Sequence, residues 1–316
     1  LNKTIPSLLQ NLDKRLWKGQ VEKLIGNTPL YDFSFLSPRP QVKVGAKLEW
    51  LQLGGSVKAR PAFYILKNAL EKNLISPQKA LLDATSGNTG IAYATLGRIL
   101  GIPVTLCVPE NISLERKLIL QTLGVNLVFT SKFEGTDGAQ AVARELYEAE
   151  PEKYYLADQY ANSANWQAHY QTTGPEIWRQ TSETVTHFVC GLGTTGSFTG
   201  ISKYLKRQNP KIKTIALQPS LAMHGLEGWK HLETAKIPPI FDSQAVDEWI
   251  TLDTPEVFQN IKQLGRKTGF FMSPSAAANL LGALKLAEKL EEAVVVTLLA
   301  DSGERYFETL QPILKN

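Results

Sequence analysis

From about residue 42 onward the chain alternates between two hydrophobic periods. Short aliphatic and β-branched runs read as strands: "VKVGAKLEW" (42–50), "ALLDAT" (80–85), "VTLCVP" (104–109), "NLVFT" (126–130), "YYLAD" (154–158), "VTHFVC" (185–190), "TIALQP" (214–219) and "AVVVTLLA" (293–300). Between them lie helical stripes. Ala62, Ile65, Leu66, Ala69 and Leu70 share one face; Leu114, Leu118 and the residues 121–123 form another before a Gly124 stop; Leu280, Leu281, Leu284, Ala287 and Leu290 form a third. Strands that alternate with helices predict an α/β protein, its sheets mostly parallel and flanked by helices. Several strands are apolar throughout, as strands covered on both faces must be. Ahead of this region, Ile5, Leu8, Leu9, Leu12 and Leu16 fall at helical spacing. They predict a helix packed on the body or on a partner chain; a signal peptide would need a continuous apolar centre.

The length of 316 residues suggests two domains, and the polar stretch "ADQYANSANWQ" (157–167) is the best boundary between two sheets. Composition is that of a globular protein, 43% hydrophobic and 20% charged. The net charge of +4 is mild and the basic residues are scattered, which argues against a nucleic-acid partner and is compatible with a small anionic ligand. Cys107 and Cys190 sit inside apolar runs, as core thiols of a reducing, cytoplasmic compartment do. No apolar run approaches the ~18 residues of a membrane span.

Ligands of such sheets bind beyond the carboxyl ends of strands, and four loops there are rich in small residues. In "GGSVKARP" (54–61), Pro61 is comfortable only in the first helical turn, so Lys58 stands at a helix mouth. Positive potential there disfavours a protonated amine, and a neutral lysine is suited to imine formation with an aldehyde; a solvated surface lysine is the plainer reading. "TSGNTG" (85–90) offers hydroxyls, an amide and helix N–H groups that can hold a carboxylate, or is an ordinary capped turn. "GLGTTG" (191–196) matches G-x-G-x-x-G, yet the next strand ends in Gln218 and Pro219 rather than the acid that holds a dinucleotide ribose. It fits a lone phosphate better than NAD, so an NAD-dependent oxidoreductase is the weaker reading. In "FFMSPSAAANL" (270–280), Ser273 or Ser275 caps a helix, and a serine there can present a hydroxyl to a ring nitrogen. His169, His187, His224 and His231 show no metal-ligand spacing, so no metal site is expected. There is no G-x-S-x-G elbow and no P-loop.

A lysine at a helix mouth, a carboxylate loop and a phosphate loop together suit a phosphorylated aldehyde cofactor. In order along the chain, "LIGNTPL" (24–30), "GGSVKARP", "ATSGNTG", "GIPVTLCVPENISLERKLILQTLGVNLV", "YQTTGPEIW" (170–178), "GLGTTGSFTG" (191–200), "SPSAAANL" and "LADSGERY" (299–306) resemble the cysteine synthase and cystathionine β-synthase family of fold type II pyridoxal-phosphate enzymes. The resemblance covers nearly the whole chain. It implies the two-domain fold of the tryptophan synthase β-subunit type, with a smaller, mobile unit over 41–156 and a larger one over 1–40 and 157–316. It implies that Lys58 forms a Schiff base with pyridoxal 5'-phosphate and that Asn88 bonds the ring hydroxyl. Gly193, Thr194, Thr195, Gly196 and Ser197 would cradle the phosphate, and Ser275 would face the pyridine nitrogen. Thr85, Ser86, Gly87 and Thr89 would bind the substrate carboxylate, helped by Gln159. The implied reaction is β-replacement on an O-activated serine through an α-aminoacrylate, above all O-acetylserine and sulfide giving cysteine and acetate, in a homodimer.

The chain departs from the family pattern at several positions. Gln52-Leu53 replaces Asn-Pro, Ala59 follows the lysine, Thr195 replaces a glycine, and Ala276, Ala277 and Ala278 follow Ser275. The "GLGTTG" loop is similar to those of sulfhydrylases that take O-phosphoserine, and Lys230 falls where such enzymes can carry a phosphate-binding cation, or is a solvated lysine. Cystathionine β-synthase and other β-replacement synthases share the mechanism and stay open.

Overall fold

The computed structural model describes residues 17–85 and 87–314, so the stripe expected over 5–16 lies outside the described residues. In chain order the elements are β1 (Leu30–Asp32), β2 (Val42–Leu48), α1 (Ala59–Glu71), β3 (Ala80–Ala84), α2 (Asn88–Leu100), β4 (Val104–Pro109), α3 (Leu114–Thr122), β5 (Asn126–Thr130), α4 (Gly135–Ala149), β6 (Tyr154–Leu156), α5 (Ser163–Gln171), α6 (Thr173–Gln180), β7 (His187–Gly191), α7 (Gly196–Gln208), β8 (Lys213–Pro219), β9 (Glu248–Leu252), α8 (Thr254–Thr268), α9 (Pro274–Ala287), β10 (Ala293–Leu299) and α10 (Phe307–Leu314). All eight runs marked as strands by their pattern are strands. The pattern did not mark β1, which is too short to show a period, or β9, whose exposed and buried residues alternate as on a sheet edge.

Two compact units are present. One holds the four-stranded sheet β5-β4-β3-β6, parallel throughout, within Ile65–Asp158 and the described residues up to Ile25. Its buried apolar residues include Leu82, Ala84, Cys107, Ala139, Ala143 and Tyr154. The other, Gly26–Tyr64 with Gln159–Asn316, holds the six-stranded sheet β1-β2-β10-β7-β8-β9, parallel except for β1. Its core is filled on one face by residues such as Val44, Val295, Leu280 and Ala283, and on the other by Phe188, Phe198, Ile201 and Val296. The division expected from sequence, 41–156 against the rest, runs differently at its start. β2 pairs with β10 along its whole length, from Ala293↔Val42 to Leu299↔Leu48, which carries the chain as far as Tyr64 into the unit with the larger sheet.

Candidate functional site

In the larger sheet, β2, β10 and β7 lie side by side and run parallel, so their carboxyl ends deliver three connections to one edge. The first carries Lys58. Val57 N donates to Ala300 O at 2.8 Å and Arg305 Nη2 donates to Gly54 O at 2.7 Å, which presses this connection against the end of β10. Gly54 and Gly55 have φ of +82° and +64°, and a Cβ on Gly55 would lie 2.5 Å from Arg305 Nη2. Bulk is absent here because the backbone turns left-handed against a guanidinium. Lys58 O accepts the first helical bond, from Ala62 N at 3.1 Å, and Pro61 falls in the first turn of α1, where no N–H is missed. The Lys58 side chain is half-buried. Burial pushes its amine below the ordinary lysine range, with Asp301 and Cys190 pulling the other way. The sequence reading credited the helix mouth with this effect; desolvation is the larger cause. Burial pushes the Cys190 thiol up to about 12, with Lys58 opposing, so it stays neutral.

The second connection is the loop of Gly193, Thr194, Thr195, Gly196 and Ser197 between β7 and α7. A Cβ on Gly193 would lie 2.0 Å from Gly228 O and one on Gly196 would lie 2.0 Å from Asn165 Oδ1, so both positions demand glycine. Thr195 adopts φ +68° as the N-cap of α7 without a side-chain cap, and its buried Oγ1 has no hydrogen-bond partner. An unpartnered buried hydroxyl beside the N–H groups of a helix start is a fitting cradle for an anion. Asn165 Nδ2 donates to Thr194 Oγ1 at 3.1 Å and to Gln159 O at 2.7 Å, which ties the buried Gln159 to this loop. Lys230 N donates to Leu192 O at 2.7 Å, and its ammonium sits 5.1 Å from the Tyr160 ring.

The third connection, leaving β10, carries Asp301, and the start of α9 packs against it: Ser273 is the cap of α9, its Oγ accepting from Ala276 N at 3.1 Å, which leaves Ser275 free of that duty. Ser275 Oγ lies 3.2 Å from Ser273 Oγ, whose proton goes to Asp301 Oδ1 at 2.5 Å; Tyr306 OH donates to Asp301 Oδ2 at 2.5 Å. Asn279, one turn further along α9, accepts from Gly191 N and donates to Leu298 O, both at 2.8 Å, and so fixes this helix to the ends of β7 and β10. Lys58, the 193–197 loop and Ser275 are thereby brought to one sheet edge.

The remaining expected residues lie in the smaller unit, at the junction of β3 and α2. Thr85 and Thr89 are buried, and Thr85 Oγ1 accepts from Gly87 N at 3.3 Å. Gly87 is the N-cap residue of α2. Asn88 opens the helix. Ser86 lies outside the described residues.

The sequence reading missed Asn165, Asn279 and Asp301, and set His169 aside as a failed metal ligand. Each is a buried polar residue in an otherwise apolar or small-residue stretch, a weak signal whose meaning depends on distant partners. It also left Asn27 and Thr28 without a role. Both meet a buried ionic cluster in which Arg60 contacts Glu49 at 2.7 Å and Glu176 at 2.6 Å, and Lys47 contacts Glu176 at 2.7 Å. Asn27 N donates to Glu176 Oε1 at 2.8 Å and Thr28 Oγ1 to Glu49 Oε1 at 2.7 Å. Gln52, the departure from Asn-Pro, donates to Glu49 Oε2 at 2.9 Å and accepts from Gly26 N at 2.9 Å.

Residues 21–301 match the family model described as pyridoxal-phosphate dependent enzyme. A cysteine synthase of Aquifex aeolicus is 45% identical over 91% of this chain and 90% of its own. An O-acetylserine dependent cystathionine β-synthase of Bacillus subtilis is 34% identical over 90% of this chain and 95% of its own. Among solved structures, an O-ureido-L-serine synthase superposes with a TM-score of 0.86 at 30% identity, over 94% of this chain and 95% of its own.

Proposed function

Since the chain belongs to the pyridoxal-phosphate dependent enzymes of the cysteine synthase type, we propose that it is a cysteine synthase, replacing the acetate of O-acetylserine by sulfide. The observation that carries this reading is the convergence of a half-buried lysine of lowered pKa with a glycine cradle holding an unpartnered hydroxyl.

Lys58 would hold the cofactor's aldehyde carbon as an imine, the 193–197 loop its phosphate, Ser275 its ring nitrogen and Asn88 its ring hydroxyl. When bound, pyridoxal phosphate supplies an electron sink for the substrate's α-carbon. Thr85, Ser86, Gly87 and Thr89, with Gln159, orient the amino-acid carboxylate. Once the substrate's amine has taken its place at the aldehyde carbon, the freed Lys58 Nζ would take the α-proton: an amine of lowered pKa is neutral over more of the working range and able to act as base. The leaving group then departs from the β-carbon and the sulfur nucleophile adds there. Ser275 offers a hydroxyl where a carboxylate would keep the ring nitrogen protonated, which favours elimination and replacement over transamination.

Lys230 supports a second reading of the donor. Its main chain is tied to Leu192, next to the glycine cradle, and a lysine there is a candidate partner for a phosphate leaving group. A donor panel of O-acetylserine, O-phosphoserine, serine and threonine, each offered with sulfide, thiosulfate, homocysteine and amines, separates the readings. Cysteine formed fastest from O-acetylserine and sulfide is the expected result. Preference for O-phosphoserine, lost in Lys230→Ala, would transfer the proposal to that donor; no β-replacement with any pair would overturn it.

A further inference from the structure

His169 takes no part in the reaction proposed above, yet it is fully buried and bonded at both ring nitrogens. Its helix, α5, lies unusually close to α7, because Gly200 is bare: a Cβ there would sit 2.2 Å from Trp166 O and 2.8 Å from His169 Cβ. That approach sets His169 Nε2 3.1 Å from Ser197 Oγ, in the first turn of α7, while Nδ1 lies 2.9 Å from Thr173 Oγ1. Burial holds the imidazole well below its ordinary range, Arg60 and Lys58 acting in the same direction and Glu176 opposing, so the ring carries one proton at neutral pH.

One ring proton between two hydroxyls allows two arrangements. If Nδ1 carries it, Nδ1 donates to Thr173 and Nε2 accepts the Ser197 proton, which leaves Ser197 facing an anion with lone pairs only. If Nε2 carries it, Nε2 donates to Ser197 Oγ, Thr173 donates to Nδ1, and the Ser197 proton is free for an anion. With an anion in the loop, only the second arrangement gives Ser197 a proton to offer it while keeping both ring nitrogens bonded.

We propose that His169 is a positioning residue for the anion of the 193–197 loop: its Nε2–H orders the Ser197 hydroxyl so that Ser197 donates into the cradle. Its ligand is a phosphate monoester, and this rests on the reading of the loop as the cofactor's phosphate site.

The test is a cycle of H169L, S197A and the double variant, with H169Q as a conservative control. Apoprotein is titrated with pyridoxal phosphate and with pyridoxal, which lacks the phosphate, and the ring tautomer is read from nitrogen NMR of histidine-labelled protein. H169L is expected to weaken pyridoxal-phosphate binding about tenfold, the loss of one charge-assisted hydrogen bond. It should add little in the S197A background, leave pyridoxal binding unchanged, and be largely rescued in H169Q, whose amide can donate in place of Nε2. The wild-type ring should show a protonated Nε2. An equal loss for pyridoxal, an undiminished loss in S197A, or a proton on Nδ1 overturns the proposal. If H169L does not fold, H169Q and the tautomer decide. If wild-type protein binds no pyridoxal phosphate, the functional reading fails instead, and the tautomer still judges His169.

Discussion

Lys58 shows how far a single residue can be read. A long cationic side chain in a stretch cleared of bulk, just before a proline that must lie in a first helical turn, was enough to place it at a helix mouth. What lowered its pKa was not visible, because burial arises only when distant parts of the chain pack around the amine, and the groups that oppose it, Asp301 and Cys190, are also far away in the chain. The lowered pKa has a consequence for the apoprotein. The unfolded chain binds a proton at Lys58 up to the ordinary value of 10.5 while the folded chain releases it earlier, so this group destabilises the fold at neutral pH and ceases to do so as pH rises past 10.5. Lys58→Met apoprotein is therefore expected to melt higher than wild type near neutrality, by a margin that narrows as the pH approaches that value, as thermal melts across the alkaline range would record. Thr195 was read as a phosphate contact, but its backbone was not foreseen: a β-branched residue at φ +68° is strained. Thr195→Gly is expected to stabilise the apoprotein by about 1 kcal/mol in urea titrations, the relief of a left-handed residue, while weakening cofactor binding through loss of its hydroxyl.

Among the elements, those whose pattern repeats over several residues were legible and the short or edge ones were not. β2 was foreseen, yet its end was placed at residue 50 rather than 48, where the chain turns and Leu51 N donates to Leu48 O at 3.2 Å. The buried ionic cluster joins the "LIGNTPL" segment, β2, α6 and the first turn of α1, two residues beyond Lys58, and its two cations and two carboxylates balance. No pattern of apolar positions announces such a cluster, since its members are spread from Thr28 to Glu176. Removing one charge leaves its partners buried and uncompensated, so Glu176→Gln is expected to cost about 3–5 kcal/mol in urea unfolding. Burial opposes ionisation of Glu49 and Glu176, but Arg60 and Lys47 outweigh it and hold both carboxyls below 4.5. Their stabilisation is present above 4.5 and is lost as pH falls through the lower folded-state values, so wild type should lose stability in acid more steeply than Glu176→Gln.

For the whole molecule, alternating periods were sufficient for the class, an α/β protein with two mostly parallel sheets flanked by helices. Strand order was not legible: β2 stands beside β10, and a pairing between the beginning and the end of a chain leaves no local trace. The motif order identified the family because it samples every connection at the edge where ligands bind, and the departures at Ala59, Thr195 and Ala276 leave those connections intact. No described helix is long and apolar enough to cross a membrane. A homodimer is proposed from the family, and sedimentation equilibrium is expected to give twice the chain mass of 35.0 kDa. The measurement that reaches furthest is borohydride reduction of the protein loaded with pyridoxal phosphate, followed by digestion and mass spectrometry. A phosphopyridoxyl group is expected on the peptide containing Lys58, and none should form in Lys58→Ala. A label on another lysine, or an unmodified Lys58 in protein that has bound the cofactor, would contradict the assignment on which the proposed chemistry stands.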